Sequence, residues 1–130
     1  MREPVWIDER DALALHDRLL VLEGGAAGIR DMALLQSALA RRPRQLLAYG
    51  DKPGIIEMAA AYTTGIVRDH PFIDGNKRTG FVVGVLFLEL NGYRFTASEE
   101  DAAQAVLGLA AGTIEEADFT SWMLVNSRRR

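Results

Sequence analysis

His70, Asp74, Lys77 and Arg78 fall within nine residues, in the run His70-Pro71-Phe72-Ile73-Asp74-Gly75-Asn76-Lys77-Arg78. A histidine, with an unperturbed pKa of about 6.5, can take the proton of an attacking hydroxyl at neutral pH. An aspartate beside bound phosphates is an ordinary ligand for Mg²⁺, which keeps several waters and needs few protein groups. Lys77 and Arg78 open an apolar run that reads as a helix, and at a helix N-terminus the macrodipole disfavours a cation by about 0.3–1 kcal/mol. Two cations there make sense beside a highly charged anion such as the phosphates of a nucleotide. The free N–H groups of the first turn point at such a ligand, Gly75 lets the backbone approach it, and charge-assisted hydrogen bonds outweigh the dipole cost. The run therefore offers His70 as base, Asp74 as metal ligand, and Gly75, Asn76, Lys77 and Arg78 as a phosphate grip. The same residues also fit a plainer role: Asp74 or Asn76 as an N-cap, Arg78 paired with a distant carboxylate, and His70 as a satisfied helix-end histidine.

These groups need two helices to position them. From Ile55 to Asp69 small and apolar residues run almost all round a helical wheel, so this helix should pack on several neighbours, and Pro71 ends it at His70. From Asn76 to Leu90 a helix of about 22 Å follows, apolar except at its ends and stopped by Asn91-Gly92. It reads as the central helix, with Gly80 and Gly84 on one face for close approach of a neighbour. Pro71 to Gly75 join the two as a helical hairpin, and Phe72 and Ile73 should turn inward to anchor the loop.

Elsewhere helical periodicity recurs and strand-like alternation does not, which makes the class all-α, a compact bundle of about six helices in residues 1–130, a single domain. Asp8 to Leu22 places Ala12, Leu13, His16, Leu19 and Leu20 on one face, before Glu23-Gly24-Gly25; His16 reads as a satisfied core histidine. After a loop over Gly25–Arg30, Asp31 caps a helix to about Arg41, ended by Pro43. Arg41, Arg42 and Arg44 then form a solvated helix end or a contact to a target or to phosphate. Arg44 to Pro53 reads as loop with a short turn. Tyr93 to Phe95 form an extended link, Ser98 or Thr96 caps a fifth helix to about Ala111, and a Thr113–Glu116 capping box starts a sixth, with Phe119, Trp122, Met123 and Val125 as its apolar stripe. Ser127 to Arg130 should fray.

Composition narrows the function. Of 130 residues 48% are hydrophobic and 25% charged, an ordinary globular balance, and a formal net charge of −3 argues against sequence-independent nucleic-acid binding. The absence of cysteine excludes thiolate chemistry and suits a reducing cytoplasm, and two histidines cannot build an ordinary zinc site without carboxylates. Met1 to Asp11 lacks the apolar core of a secretory signal, and Phe81 to Leu88 is far short of the roughly 20 residues of a membrane span. A soluble, cytoplasmic protein is expected.

The His70–Arg78 run resembles the signature of the Fic/Doc superfamily and, with Lys77, its Doc or death-on-curing branch. "ALALHDRLL", "GGAAGIRD", "LLQSALARRPR" and "LFLELNGY" are similar to segments of Doc-type proteins, so most of the chain is covered. The resemblance implies an all-α Fic/Doc-like fold that uses ATP and Mg²⁺, with His70 as base, Asp74 as Mg²⁺ ligand, and Asn76, Lys77 and Arg78 on the phosphates. Fic enzymes usually carry glycine at the position of Lys77 and a second arginine at that of Phe81, and transfer AMP. In the Doc type the lysine accompanies a reversed nucleotide and transfer of the γ-phosphate, the target being elongation factor Tu and the outcome translation arrest. Pro71 and Gly75 fit the Fic form equally, which leaves AMP transfer open, and a catalytically silent module that binds nucleotide or antitoxin is a third reading. No stretch matches the Ser/Thr-x-x-x-Glu-Gly/Asn inhibitory motif of many Fic proteins, so the resemblance implies inhibition by a separate, Phd-type antitoxin.

Overall fold

The computed structural model describes residues 3–49 and 54–130. In chain order the elements are α1 (Glu9–Glu23), α2 (Met32–Gln36), a π turn (Ser37–Arg41), α3 (Arg42–Tyr49), α4 (Ile55–Asp69), α5 (Asn76–Leu90), β1 (Tyr93–Phe95), α6 (Glu99–Ala111), α7 (Glu116–Val125) and β2 (Ser127–Arg129). Because α2, the π turn and α3 run on without a break, the described residues form six helical rods, as the periodicity predicts. None is long and apolar enough to cross a membrane.

The buried centre is α4 rather than α5. Every residue from Met58 to Val67 is buried, whereas Phe81, Val82, Val85 and Leu86 of α5 are only half-buried and Leu90 is exposed. The cause is side-chain size: Ala59, Ala60, Ala61, Thr63, Thr64 and Gly65 let α2, α3, α5, α6, α7 and the π turn all approach the α4 backbone. Gly65 faces Ala38 of the π turn, and the two long helices meet at Gly80 and Gly84, as expected. There the Thr63 hydroxyl donates to the Gly80 carbonyl at 2.8 Å, which removes a polar group from the list of costs at this contact. A methyl group on Gly84 would lie 2.9 Å from the Ala59 carbonyl as well as against the Thr63 side chain.

Pro43 does not end the second rod. The Arg42 N–H bonds to the Ser37 carbonyl, five residues back, so the helix has already left the α ladder where proline's ring and missing N–H would disrupt it. The rod continues to Tyr49 through residues expected to be loop; Gly50 to Pro53 lie outside the described residues. Arg42 pairs with Glu116 of α7, and the Arg44 guanidinium lies 4.9 Å from the centre of the Trp6 ring, so two of the three clustered arginines hold elements together while Arg41 stays exposed.

The chain's end is ordered, contrary to the expected fraying. Ser127–Arg129 pairs antiparallel with Tyr93–Phe95, Arg129 lies over the Tyr93 ring, and Arg130 N–H reaches the Gly92 carbonyl at 2.9 Å. Three-residue strands are too short to announce themselves by alternation. The sixth rod starts at Glu116, not at the Thr113 box, because the Gly108 carbonyl takes the N–H groups of Thr113 and Ile114 into the end of α6; Glu115 N–H bonds instead to the Asp118 carboxylate at 2.9 Å. Phe119 and Met123 are buried and Trp122 half-buried, but Val125 is exposed and not part of the stripe. Asp8, Asp31 and Ser98 cap α1, α2 and α6.

Tyr62, wholly enclosed in the core, accepts the Ile7 N–H at 3.0 Å, and burial pushes its phenol up to about 12. Replacing Gly84 by Ala should destabilise the fold by about 1–3 kcal/mol through overpacking of α4 on α5, measured as a lowered urea midpoint with an unchanged slope.

Candidate active site

Two loops meet at the end of the α4–α5 pair. His70 closes α4 in the left-handed conformation, φ 51° and ψ 56°, with its N–H on the Ile66 carbonyl at 3.2 Å and its side chain exposed. The segment between α1 and α2 runs alongside. Arg30 and Asp31 N–H groups both bond to the Pro71 carbonyl, at 2.7 and 3.0 Å, Ile73 N–H reaches the Gly28 carbonyl at 3.1 Å, and Ile29 bridges to Phe72. The Arg30 guanidinium donates to the carbonyls of His70 and Asp69, each at 2.6 Å. Gly24, Gly25 and Gly28 make this path possible with positive φ.

The inner side of the loop is tied by Asn76 and His16. The Asn76 side chain, buried at the start of α5, accepts the Phe72 N–H and donates to the Phe72 carbonyl, both at 2.9 Å. Phe72 is buried and stacks on the His16 ring, centroids 3.8 Å apart and planes 8° from parallel. His16 is buried, as expected, and its Nε2 lies 2.7 Å from the Asp74 carbonyl oxygen, which can only accept, so Nε2 carries the proton. Ile73 does not turn inward: it is 57% exposed, because its backbone is spent on Gly28 and its side chain lies outside, over that glycine.

The polar face is thereby turned outward. Gly75 is the N-cap of α5 at φ 78°, and no side chain caps the helix, which leaves the first-turn N–H groups of Asn76, Lys77 and Arg78 without a capping partner. The Asp74 carboxylate accepts the Ala26 N–H at 3.1 Å and the Gly75 N–H at 2.8 Å. These bonds, with the nearby Arg78 and His16, hold its carboxyl below the usual aspartate range, so it is ionised throughout the neutral region. Arg78 is ion-paired with Glu23 at the end of α1, both half-exposed. Lys77 is exposed and, among the described residues, in no ion pair. Lys77 and Arg78 also border a cleft of about 430 Å³ between α5 and α6, walled by Phe81, Ala102, Val106 and Leu107.

His70, Asp74, Gly75, Asn76, Lys77 and Arg78 thus occupy one end of the helical hairpin, but not in equal roles. The Asn76 side-chain amide is committed to Phe72, which leaves only its backbone N–H for a ligand. The described residues hold no cluster of three potential metal-ligating side chains. A lone ionised carboxylate is nevertheless compatible with Mg²⁺, whose shell can be mostly water and phosphate oxygen.

The family model for the Fic/DOC family matches residues 6–88, which include α1, both loops and nearly all of α5. A protein of Escherichia phage P1 named "Protein kinase doc" is 33% identical over 108 residues, 83% of this chain and 84% of the relative. The chain belongs to the Fic/DOC family. A further relative, "Toxin Doc" of Mycolicibacterium smegmatis, is 30% identical over 107 residues, 82% of this chain and 80% of that one. Both the fold and the family are those the resemblance implied.

Arg30 and Glu23 were not legible as site residues, since their partners lie 39 to 55 positions away in the chain. The one signal was the glycine-rich "GGAAGIRD" itself, more glycines than a plain helix connection needs. Because Asp74 titrates below the ordinary aspartate value of 3.8 in the folded protein, its tie to Ala26 is intact above that value and lost as pH falls through the lower one. The Ala26 amide resonance should therefore titrate with a midpoint below 3.8, and Asp74→Asn should abolish that titration; both are read by two-dimensional NMR.

Proposed function

We propose that this chain is a Doc-type toxin that uses Mg-ATP to phosphorylate a Ser or Thr hydroxyl of a translation factor, elongation factor Tu by resemblance, and so arrests translation. The observation that carries the reading is the uncapped N-terminus of α5 with Lys77 and Arg78 in its first turn, beside an ionised Asp74 and an exposed His70. Such an end lacks an anion, and phosphates supply one.

In this reading His70 takes the proton of the target hydroxyl as its oxygen attacks the γ-phosphorus. The bond to the bridging oxygen breaks, and ADP leaves with the bond's electrons. The first-turn N–H groups, with Lys77 and Arg78, grip the phosphates, while the Asn76 side chain keeps the loop in place beneath them. Arg78 exchanges Glu23 for phosphate, an easy exchange because an exposed ion pair is worth only about 0–1 kcal/mol. Asp74 is the residue that would hold Mg²⁺, which neutralises phosphate charge when bound. Phosphoryl transfer asks mainly for such positioning and electrostatic stabilisation.

Lys77 in place of the usual Fic glycine favours γ-phosphate transfer, as does the kinase name of the phage relative. Pro71 and Gly75 suit AMP transfer equally, which is the second reading. A toxin of this type implies a cytoplasmic protein with a Phd-type antitoxin as partner, and the formal net charge of −3 disfavours direct contact with nucleic acid.

Incubation of the purified protein with elongation factor Tu and γ- or α-labelled ATP separates these readings. Transfer of the γ-label is expected, and His70→Ala should lower it at least about 100-fold. Transfer of the α-label would instead establish AMP transfer, and neither label a silent module or another target.

A further inference from the structure

Among the described residues, His70 is the single non-glycine residue at positive φ. Its left-handed backbone is disfavoured by its own Cβ, and the following Pro71 narrows its freedom further. A residue in such a conformation stays there only if its surroundings over-determine it. Three N–H donors of Arg30 do so: backbone N–H to the Pro71 carbonyl at 2.7 Å, Nε to the His70 carbonyl at 2.6 Å and Nη2 to the Asp69 carbonyl at 2.6 Å. One residue thus holds three successive carbonyls.

We propose that Arg30 is a positioning residue that fixes the backbone of His70 and so aims its imidazole at the target hydroxyl; the proposal rests on the reading of His70 as base. The planar guanidinium fork spans two consecutive carbonyls, which a lysine ammonium cannot do in the same fixed geometry. Its charge also lies at the C-terminus of α4, the end where the helix dipole favours a cation. Arg30 is held in turn by its neighbours, Ile29 bridging to Phe72 and Asp31 capping α2 through the Leu34 N–H. Its guanidinium bonds to neither Asp74 nor the phosphate grip, so removing it should leave nucleotide binding intact.

The test compares Arg30→Ala and Arg30→Lys with the parent protein. In γ-phosphate transfer to elongation factor Tu, both variants should lose about 10- to 100-fold in kcat, the scale of a misplaced reacting group, with KM for ATP within about twofold. Added guanidinium at millimolar concentration should restore part of the rate of Arg30→Ala and none of that of His70→Ala. Independently of activity, the backbone resonances of His70 in the free protein should shift in Arg30→Ala and return with guanidinium, while those of Asn76 and His16 stay in place. An unchanged kcat or unmoved His70 resonances would overturn the proposal, as would a raised KM with loss of the Asn76 signals, which would mark a merely structural residue. Should His70→Ala keep full transfer, the reading of His70 as base fails, and the His70 resonances still decide whether Arg30 sets its backbone.

Discussion

The site depends on one reciprocal pair of hydrogen bonds, from the Phe72 backbone to the Asn76 side chain and back, each 2.9 Å long. Removing the amide would leave a buried N–H and C=O unpaired, at about 1–3 kcal/mol. The open end of α5 has a separate cause. Gly75, in the cap position, has no side chain to offer. The helix terminus is thereby left without the stabilisation that a capping side chain gives.

Around that pair the support is layered. Beneath it, the small residues of α4 let α5 lie close enough for the five-residue connection to be taut. On the inner side His16 stacks on Phe72 and holds the Asp74 carbonyl, so the side chain of Asp74 can face outward. On the outer side the segment between α1 and α2 supplies Gly28, Arg30 and Asp31 to the loop backbone and the Ala26 N–H to the Asp74 carboxylate. Charge follows the same logic: Glu23 neutralises Arg78 through a weak exposed pair, while Asp74 is held ionised by backbone donors that do not compete with an incoming cation for all of its lone pairs.

What could be read from the sequence had local causes. Periodicity, Asp31 and Ser98 as caps, and Pro71 and Asn91-Gly92 as stops mark the rods, and the Fic/DOC motif marks the loop. Features with distant or opposing causes were not legible. Pro43 reads as a terminator because proline breaks an α ladder, and only the π turn shows that the ladder is already shifted there. The depth of α4 is masked in the sequence because alanines and threonines look less apolar than the valines and leucines of α5, although their small size is what draws neighbours in. Ile73 was expected inside from hydrophobicity, yet its backbone pairing with Gly28 fixes it outside. Arg30 and Glu23 could not be connected to the site at all without the fold.

In the proposed function the first turn of α5 is an anion site held open by the loop. The direct measurement is titration of the free protein with Mg-ATP while following the backbone amide resonances. Large shifts at the amides of Asn76, Lys77 and Arg78, with the Phe72 amide unmoved because Asn76 keeps it, are predicted. Saturating Mg-ATP that leaves the three first-turn amides where they were would contradict the claim.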